Sequence, residues 1–334
     1  MKAISYSKYG PPDVLQLEDV DKPAPKDDEI LIRVRAAEAT KSDCEMRSFN
    51  FPVKWFSLPL RIVLGITKPR RPILGGYFAG EIAALGKDVT EFAVGDAVYG
   101  AAGLRLGAYG EYMALPANYT VVTKPANMSF AEAAAVPLGG LNALHFMRLA
   151  KISAGEHVLI NGAGGSIGTH AVQIAKAMGA QVTVVDSALK EDMLRRIGAD
   201  QFIDYAREDF TRSGQRYDVI FDMVPGSAYG GCISCLNRGG RYLSGNARLS
   251  VLIRSVFTTR FTDKTARVAL ARESREELLA LKEMIEAGKI GPIVDKVLPM
   301  DKAADAHRLV ETEQRCGAIV IAIGDIEASR CQQQ

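Results

Sequence analysis

The sequence is short of several features that would assign it to a class at once. It has five cysteines in 334 residues, too few and too scattered for a disulfide framework. Its 41 basic and 39 acidic residues leave a net charge of +2, so charge gives no indication of a nucleic-acid partner. The opening MKAISYSKYGPPDV lacks the apolar run of a signal peptide.

Long apolar runs are also missing. The longest one near the front, FSLPLRIVLGI, is interrupted by Pro59 and Arg61 and is too short to span a bilayer. We therefore expect a cytoplasmic protein with no membrane span and no nucleic-acid partner. With 48% hydrophobic and 24% charged residues, a chain of this length buries a core without metals or disulfides and suggests two domains.

What the sequence does have is a change of pattern along its length. Residues 1–123 carry short apolar runs separated by glycine turns, which is typical of a small β-rich module. A capping box, Ser129 with Glu132, then predicts the start of a helix. After it, short apolar strands such as HVLIN and QVTVVD alternate with helical segments. That alternation predicts right-handed βαβ units and a parallel sheet.

The end of the chain changes pattern again. An amphipathic helix, REELLALKEMIEAGK, and the helix DKAADAHRLVET precede a strand, GAIVIAI, that is apolar throughout. Such a strand is expected to be buried and to return to the first module. We therefore predict a discontinuous domain, residues 1–125 and 272–334, around an inserted parallel-sheet domain, residues 126–271.

The stretch NGAGGSIGTH lies between two of the predicted strands. The span from His157 to Asp186 has 30 residues, the length of one dinucleotide-binding βαβ unit. Ala163 permits a tight exit from the strand, Gly165 lets a pyrophosphate approach the main chain, and Gly168 lets the helix pack closely. The helix N-terminus offers free N–H groups to the phosphates. The predicted pyrophosphate-binding residues are Gly162, Ala163, Gly164, Gly165, Ser166, Ile167 and Gly168.

Seven segments in a fixed order carry a resemblance over nearly the whole chain. They are MKAISYSKYGPPDVLQLEDV, ATKSDCEMRS, LGGYFAGEIAALGKDVTEFAVGDAVYG, AAAVPLGGLNALH, VLINGAGGSIGTHAVQIAKAMGA, LRRIGADQFIDY and YDVIFDMV. With them the chain resembles the medium-chain dehydrogenase/reductase superfamily, specifically its zinc-free quinone oxidoreductase-like branch. The resemblance implies an α/β fold, with a GroES-like β-rich catalytic domain around a Rossmann doubly wound parallel-sheet domain. It also implies a homodimer.

Zinc is the first question that this resemblance raises. The zinc alcohol dehydrogenases of the superfamily bind a catalytic zinc through a Cys and a Gly-His-Glu histidine, and here those positions are Thr40 and Gly76. Residues 85–125 lack the four cysteines of a structural zinc lobe. Cys232 and Cys235 form a single Cys-x-x-Cys, which we interpret as two packed thiols on a helix. We predict no zinc, which argues against alcohol oxidation and for reduction of an activated double bond.

The choice of nicotinamide cofactor depends on the residues after the second strand. Asp186 follows Gly168 by 18 residues, and an acid there favours NAD by accepting a hydrogen bond from the ribose 2′-hydroxyl. Ser187 and Lys190 come next, and Tyr205 ends the segment FIDY. In the NADPH-dependent quinone reductases that the chain resembles, positions matching Lys190 and Tyr205 contact the 2′-phosphate. We favour NADP(H), with NAD(H) as the alternative.

Three residues are candidates for the chemistry. Tyr77 stands where relatives often carry an aspartate, and its phenol could donate a proton to a developing enolate. Lys41 could hydrogen-bond a substrate carbonyl or the cofactor. Asp43 is four residues before Arg47, so that the two could pair on one helical turn as part of the cleft.

Other residues are predicted to border the cofactor or the substrate. Asn142 is a candidate to bind the nicotinamide amide, and Ser244 and Gly245 follow a late strand at the cofactor-facing edge. Trp55 and Phe56 belong to an apolar segment that could cover the substrate cleft.

The main hypothesis is a zinc-independent, NAD(P)H-dependent reductase of quinones or α,β-unsaturated carbonyls, with a small-molecule substrate. Two alternatives remain open at this point. One is a metal-free NAD(P)-dependent alcohol dehydrogenase. The other is a nucleotide-binding structural or regulatory protein without turnover, for which the departures at Tyr77 and Asn142 leave room.

Overall fold

The computed structural model describes residues 1–51, 57–246 and 248–324. Trp55 and Phe56 lie outside the described residues. The strands, in chain order, are β1 (Lys2–Ser5), β2 (Gln16–Asp19), β3 (Glu29–Ala39), β4 (Tyr77–Leu85), β5 (Ala97–Ala101), β6 (Tyr112–Pro116), β7 (Thr120–Thr123), β8 (His157–Asn161), β9 (Gln181–Asp186), β10 (Gln201–Asp204), β11 (Tyr217–Asp222), β12 (Leu236–Ser244), β13 (Thr265–Val268), β14 (Val294–Pro299) and β15 (Ala318–Ala322).

The α-helices are α1 (Lys41–Ser48), α2 (Ser57–Leu64), α3 (Phe130–Ala134), α4 (Pro137–Ala150), α5 (Ser166–Ala177), α6 (Glu191–Arg196), α7 (Tyr229–Ser234), α8 (Leu249–Phe261), α9 (Arg275–Glu286) and α10 (Ala303–Glu311). Within the described ranges, none of the helices has the length and apolar character needed to cross a membrane. The predicted capping box is confirmed: α3 follows Ser129, whose side chain accepts the Glu132 N–H.

The first large sheet joins the two ends of the chain. Its strand order is β14-β15-β3-β4-β5-β7, and β6 also pairs with β3. Every residue of β15 is buried, and the strand pairs antiparallel with the end of β3, at Ala36–Ala39. The prediction that the last apolar strand returns to the first module is therefore confirmed. A strand that is buried on both faces does not alternate between apolar and polar residues, which explains why β15 is apolar throughout.

The second large sheet is parallel and lies between these two segments in the sequence. Its order is β10-β9-β8-β11-β12-β13, with every pair parallel. Counted within the sheet, the strands run 3-2-1-4-5-6, the order of a Rossmann fold. The direction of winding reverses between β8 and β11, and the crevice outside the carboxyl ends of these strands is where such sheets bind ligands.

Helices α4 and α9 connect the two parts of the molecule. The apolar face of α9, with Leu278, Leu281 and Ile285, belongs to the same buried cluster as α4 and the parallel strands. At its start, the Leu278 carbonyl accepts a hydrogen bond from the Tyr99 hydroxyl of β5 at 3.1 Å. The segment that we assigned to the catalytic domain from residue 272 onward therefore contacts both sheets. The predicted domain limits themselves stay a prediction.

Candidate active site

The glycine loop leaves β8 and turns into α5. Gly162 has a φ of +85°, in the left-handed region that favours glycine, and its N–H donates to the Val185 carbonyl at 3.0 Å. A Cβ atom at Gly168 would lie 2.4 Å from the Ala163 carbonyl oxygen, closer than such atoms can approach. The absence of a side chain at Gly168 is therefore what lets the first turn of α5 pack against the end of β8.

The main chain at Gly165 is open on one side. Gly165 is the N-cap of α5, and no side chain caps the helix that begins at Ser166 and continues through Ile167. The first N–H groups of the helix thus remain suited to bind an anion. A Cβ atom at Gly165 would have a single heavy atom within 4 Å, Nη2 of Arg315 at 3.8 Å. An open main chain flanked by a guanidinium group fits the pyrophosphate of a dinucleotide.

A second cation lies close to Arg315. The Lys41 ammonium group is 2.6 Å from Oε1 of Glu313, and Nη1 of Arg315 is 3.4 Å from Oε2 of the same carboxylate. Nη1 of Arg315 also donates to the Val310 carbonyl at 2.9 Å. Half of the Lys41 side chain is exposed, whereas only 11% of the Arg315 side chain is. Two cations from distant parts of the sequence therefore share the Glu313 carboxylate, and one of them, Arg315, lies beside the glycine loop.

Sequence reasoning missed Arg315 and Glu313. They come almost 150 residues after the loop, and no local motif marks them. The main chain explains their position, because the Gly317 N–H donates to the Gly164 carbonyl at 2.9 Å and carries this segment across the loop. The prediction that the last strand returns to the first domain was the one available signal.

Asp186 ends β9 next to the glycine loop. Its Oδ2 accepts the Gly164 N–H at 2.7 Å, and its Oδ1 accepts the Ser187 N–H at 2.8 Å. Oδ1 also lies 2.9 Å from the ammonium group of Lys190, and both side chains are buried. The Tyr205 N–H donates to the Asp186 carbonyl at 3.3 Å, and the Tyr205 side chain is exposed. The structure thus brings together the residues that sequence reasoning assigned to the choice of cofactor.

Polar residues also line the carboxyl edge at the centre of the parallel sheet. Asn161, Asp222 and Ser244 are opposite one another at the ends of β8, β11 and β12. The buried Asp222 carboxylate accepts the Asn161 amide at 2.9 Å and the Tyr242 hydroxyl at 2.7 Å. Gly245 follows Ser244 directly. Ser244 and Gly245 therefore lie at the predicted edge, whereas Asp222, which fixes the neighbouring strand ends, was missed.

Asn142 lies in the middle of α4. Its side-chain amide donates to the Leu138 carbonyl one turn earlier, at 2.9 Å, and the residue is partly buried. The Asn142 side chain is thus bonded within α4, and its contact with the nicotinamide amide stays a prediction.

Tyr77 begins β4, and its hydroxyl donates to the Glu273 carboxylate at 2.6 Å. Glu273 lies just before α9, so the contact joins two segments of the predicted catalytic domain that are remote in the sequence. Burial, together with the negative charge of Glu273, raises the pKa of the Tyr77 phenol well above its ordinary value. The phenol is therefore protonated throughout the neutral range and retains a proton to donate.

Asp43 holds the start of α1. Its Oδ2 accepts the Thr40 N–H at 3.0 Å and the Thr40 hydroxyl at 2.5 Å, and its Oδ1 accepts the Gly75 N–H at 3.1 Å. The residue is 1% exposed, and burial raises the pKa of its carboxyl. These contacts place Lys41, the next residue after Thr40, at the first turn of the helix. Asp43 thus acts on the site through the position of α1.

Asp43 and Arg47 do not form the pair that their spacing suggested. The Arg47 guanidinium group is buried against other partners: it donates to the Gly10 carbonyl, contacts Nδ1 of His307 at 3.1 Å and forms an ion pair with Glu311. Burial and the Arg47 charge lower the pKa of His307 to about 3, so the imidazole is neutral. The partners on α10 lie 260 residues or more along the chain, out of reach of a rule based on local spacing.

Within the part of the chain that the structure describes, no group of three or more His, Cys, Asp or Glu side chains could hold a metal ion. At the two positions that bind catalytic zinc in the zinc enzymes, Thr40 is committed to the helix cap and Gly76 has no side chain. Cys232 and Cys235 are buried free thiols at the end of α7, and burial raises the pKa of Cys232 to about 12. These two cysteines fit the interpretation as packed thiols.

Known families match both parts of the chain. The family described as alcohol dehydrogenase GroES-like domain matches residues 26–126, and that described as zinc-binding dehydrogenase matches residues 197–321. The 2-methylene-furan-3-one reductase of Solanum lycopersicum is 32% identical over 96% of this chain and 79% of its own length. The NADPH-dependent alkenal/one oxidoreductase, chloroplastic, of Arabidopsis thaliana is 31% identical over the same two shares.

A solved structure gives the same result. The quinone oxidoreductase from Coxiella burnetii superposes with a TM-score of 0.85 at 30% identity, over 97% of this chain and 99% of that one. Likeness at this level over nearly the full length agrees with the strand order of the parallel sheet and with the glycine loop. The chain therefore belongs to the medium-chain dehydrogenase/reductase superfamily, in its quinone oxidoreductase-like branch.

Proposed function

We propose that this protein is an NAD(P)H-dependent oxidoreductase that reduces quinones or α,β-unsaturated carbonyl compounds without zinc. The observation that carries the proposal is the open main chain at Gly165, at the N-terminus of α5 and beside Arg315. The names of the relatives, which include a quinone oxidoreductase and an alkenal/one oxidoreductase, support the substrate class.

Different residues of the chain would bind the pyrophosphate and the nicotinamide of the cofactor. The main chain from Gly164 to Gly168 and the Arg315 guanidinium group would hold the cofactor pyrophosphate. Asn142 and the pair Ser244–Gly245 would border the nicotinamide. When bound, the cofactor supplies a hydride ion to an electron-poor carbon of the substrate.

Reduction of a conjugated carbonyl also consumes a proton, and we assign its delivery to Tyr77. The Tyr77 phenol stays protonated, and its O–H would leave the hydrogen bond to the Glu273 carboxylate and deliver its proton to the substrate. Lys41, whose side chain is half exposed, would hydrogen-bond a substrate carbonyl or the cofactor. Asp43 positions the helix that carries Lys41.

We further propose a preference for NADPH over NADH. The Asp186 carboxylate is already bonded to two main-chain N–H groups and to Lys190, so its charge is compensated. In this proposal Lys190 and Tyr205 would contact the 2′-phosphate. The relative named as NADPH-dependent supports the same preference.

The proposal includes independence from zinc because the donor set is unsuitable. Thr40 and Gly76 supply no thiolate or imidazole at the positions where the zinc enzymes hold their metal. A conjugated carbonyl can spread the developing negative charge over its own oxygen, so the reaction does not require a Lewis acid. Metal analysis of the purified protein tests this part, and stoichiometric zinc would overturn it.

A homodimer, in the cytoplasm, is the proposed form of the enzyme. Strand β13 is the edge of the parallel sheet, and the helix before it exposes a row of apolar side chains, a combination suited to a contact with a second copy. They are Leu249, Ile253, Val256, Phe257 and Phe261. Light scattering coupled to gel filtration should give the mass of two chains, and a monomer would contradict the proposal.

We also propose the domain division given above, with residues 1–125 and 272–334 in one domain and residues 126–271 in the other.

The decisive experiment follows cofactor oxidation with three kinds of substrate. NADPH and NADH are each mixed with the protein and a simple quinone, an alkenal or enone, or, in the reverse direction with NADP⁺, a primary alcohol. We expect turnover with the quinone or the enone and none with the alcohol. Alcohol oxidation would favour a metal-free alcohol dehydrogenase. Cofactor binding without turnover of any substrate would favour a nucleotide-binding protein.

A further inference from the structure

A carboxyl group that the mechanism above does not use lies beside the phosphate site. Glu38 is near the end of β3, opposite Val320 of β15, and is only 2% exposed. Its Oε2 has no hydrogen-bond partner among the described residues, and neither does the buried Oγ of Ser166. Ser166 is the first residue of α5, and its hydroxyl is close enough to Glu38 to lower the pKa of the carboxyl. The carboxyl therefore faces the helix start that is suited to hold the pyrophosphate.

The charged groups around Glu38 compensate a negative charge on it only in part. Arg315 lowers its pKa and Asp43 raises it, and the Arg315 guanidinium group has its hydrogen bonds elsewhere. Tyr77 and Tyr109 also interact with Glu38, but their own pKa values are raised and both phenols are neutral. Burial is the largest influence, since a carboxylate that loses water without gaining a partner is strongly disfavoured.

Two further sets of titratable groups lie near this position. Lys41 and Glu313 form an ion pair with each other, and the neutral His307 contacts Tyr109 at 3.0 Å. Glu45 of α1 interacts with Lys41 and Glu313, and burial raises its pKa to about 7. For Glu38, burial raises the pKa from 4.5 to about 8. Glu38 is therefore protonated at neutral pH, and Glu45 is a second carboxyl group of raised pKa in this region.

We propose that the cofactor binds to the form of the protein in which Glu38 is protonated, so that cofactor binding is coupled to proton uptake. This inference rests on the proposed function, which places a pyrophosphate at the start of α5. A pyrophosphate and an ionised Glu38 would be two anions on either side of Ser166. Because like charges this close repel strongly, the bound anion raises the affinity of Glu38 for its proton, and the ionised form excludes the anion.

The coupling makes affinity depend on pH in a defined direction. Below the pKa of Glu38 the carboxyl is already protonated, and the dissociation constant for NADPH is independent of this group. Above it, each bound cofactor must bring a proton with it, and the dissociation constant rises. We expect an increase of about tenfold between pH 7 and pH 9. The 2′-phosphate of NADPH has a second pKa of about 6, so it is mostly ionised at pH 7 and adds little slope above it.

Titration calorimetry of the wild-type protein measures the coupling without any substrate. Binding of NADPH at pH 9, in buffers of different ionisation enthalpy, should take up close to one proton per site. ADP-ribose, which carries the pyrophosphate but no nicotinamide, should show the same uptake. NADPH binding without proton uptake would overturn the proposal, as would uptake with NADPH but not with ADP-ribose. If NADPH fails to bind at any pH, the proposed function fails instead.

Variants identify the group. Glu38→Gln has nearly the same shape and cannot ionise, so its dissociation constant should match that of the wild type at pH 7 and stay flat to pH 9. Glu45→Gln is the matched control, because it removes a neighbouring carboxyl of raised pKa and should leave the increase at high pH intact. A flat profile in Glu45→Gln with a normal increase in Glu38→Gln would overturn the assignment. Thermal unfolding of each variant confirms that the fold is retained.

Discussion

The ammonium group of Lys190 lies 2.9 Å from the carboxylate of Asp186, and less than a tenth of each side chain is exposed. The pair packs directly on Gly164, where an added Cβ atom would be 2.2 Å from the Cδ atom of Lys190. Asp186 therefore has its charge compensated inside the protein before any ligand arrives. A 2′-phosphate bound next to the pair would contact Lys190. The Asp186 carboxylate, the group that usually favours NAD, would face the glycine loop instead.

The first prediction concerns Lys190→Met. We expect the dissociation constant for NADPH to rise by about 10- to 100-fold, because a hydrogen bond to a charged group contributes about 1.5–3 kcal/mol. The constant for NADH should change much less. Titrations of both cofactors, followed by their fluorescence, measure the ratio. The melting temperature should also fall, since the buried Asp186 loses its cation.

Lys176→Met is the control for this prediction. Lys176 pairs with Asp200 at 2.8 Å in the same domain, but a third of the Lys176 side chain is exposed. Its loss should affect stability by less than about 1 kcal/mol and neither cofactor specifically. If Lys190→Met weakens NADH and NADPH equally, Lys190 supports the loop and does not select the phosphate.

Alanine substitutions at the two loop glycines should differ in their effect on stability. Gly165 has extended backbone angles and room for a Cβ atom, so Gly165→Ala should fold with an unchanged melting temperature. Its added methyl group would stand where the pyrophosphate approaches, and the affinity for NAD(P)H should drop by at least about tenfold. Calorimetric binding and thermal unfolding measure the two effects separately.

Gly168→Ala should fail in a different way. Its Cβ atom would lie within about 2.5 Å of three main-chain atoms of Ala163, so the helix must move away from the strand. Overpacking of this kind costs about 1–3 kcal/mol or more, so the melting temperature should fall together with cofactor affinity. Normal cofactor affinity in Gly165→Ala would mean that the ligand does not approach the main chain there.

The parts of the fold and of the candidate site that lie close together in the sequence could be predicted from it. The glycine loop, Asp186 and Lys190 are within 30 residues, and the period of strand and helix places them together. The return of β15 could also be predicted, because an apolar strand must be buried on both faces.

Contacts between remote segments could not be predicted. Arg315 reaches Gly165 because Gly317 bonds across the loop, and Arg47 pairs with α10 and not with Asp43. Glu38 left no clear signal, because it is one of several charged residues in β3, together with Glu29, Arg33 and Arg35. Its burial, however, depends on remote segments that cover the end of β3, among them β15, and no local pattern contains that information.

The third prediction tests the proton donor. Tyr77→Phe should keep cofactor affinity and lower kcat for an enone by about 100-fold or more, the usual size of a general-acid contribution. Because the pKa of the phenol is raised well above its ordinary value, the wild-type rate should show no loss from Tyr77 ionisation as far as pH 10. Stopped-flow measurement of a single turnover separates the chemical step from product release.

Tyr99→Phe is the matched control. The Tyr99 hydroxyl is buried and donates to the Leu278 carbonyl, so its removal should lower the melting temperature and leave kcat unchanged. An unchanged kcat in Tyr77→Phe would exclude Tyr77 as the donor and leave its bond to Glu273 with a structural role.

The last prediction follows from the pKa of Glu38 and concerns stability in the absence of cofactor. Its pKa in the folded protein, about 8, is above its ordinary value of 4.5. Between these two pH values the folded protein holds a proton that the unfolded chain releases. The stabilising contribution is therefore complete below pH 4.5 and is lost as the pH rises through 8, by about 1.4 kcal/mol per pH unit.

Glu38→Gln removes this dependence, because an amide does not titrate. Denaturant unfolding at pH 5, 6, 7 and 8 should show the wild type losing stability relative to the variant at each step. The pKa of His307 is lowered to about 3, so its effect on stability changes in the opposite direction with pH and only below pH 6.5. The same unfolding series on Glu45→Gln measures the part of the pH dependence that comes from the neighbouring Glu45 carboxyl. A stability difference between wild type and Glu38→Gln that stays constant over this range would mean that Glu38 is ionised in the folded protein. In that case the side chain must have a partner, and the coupling of cofactor binding to its proton would be wrong as well.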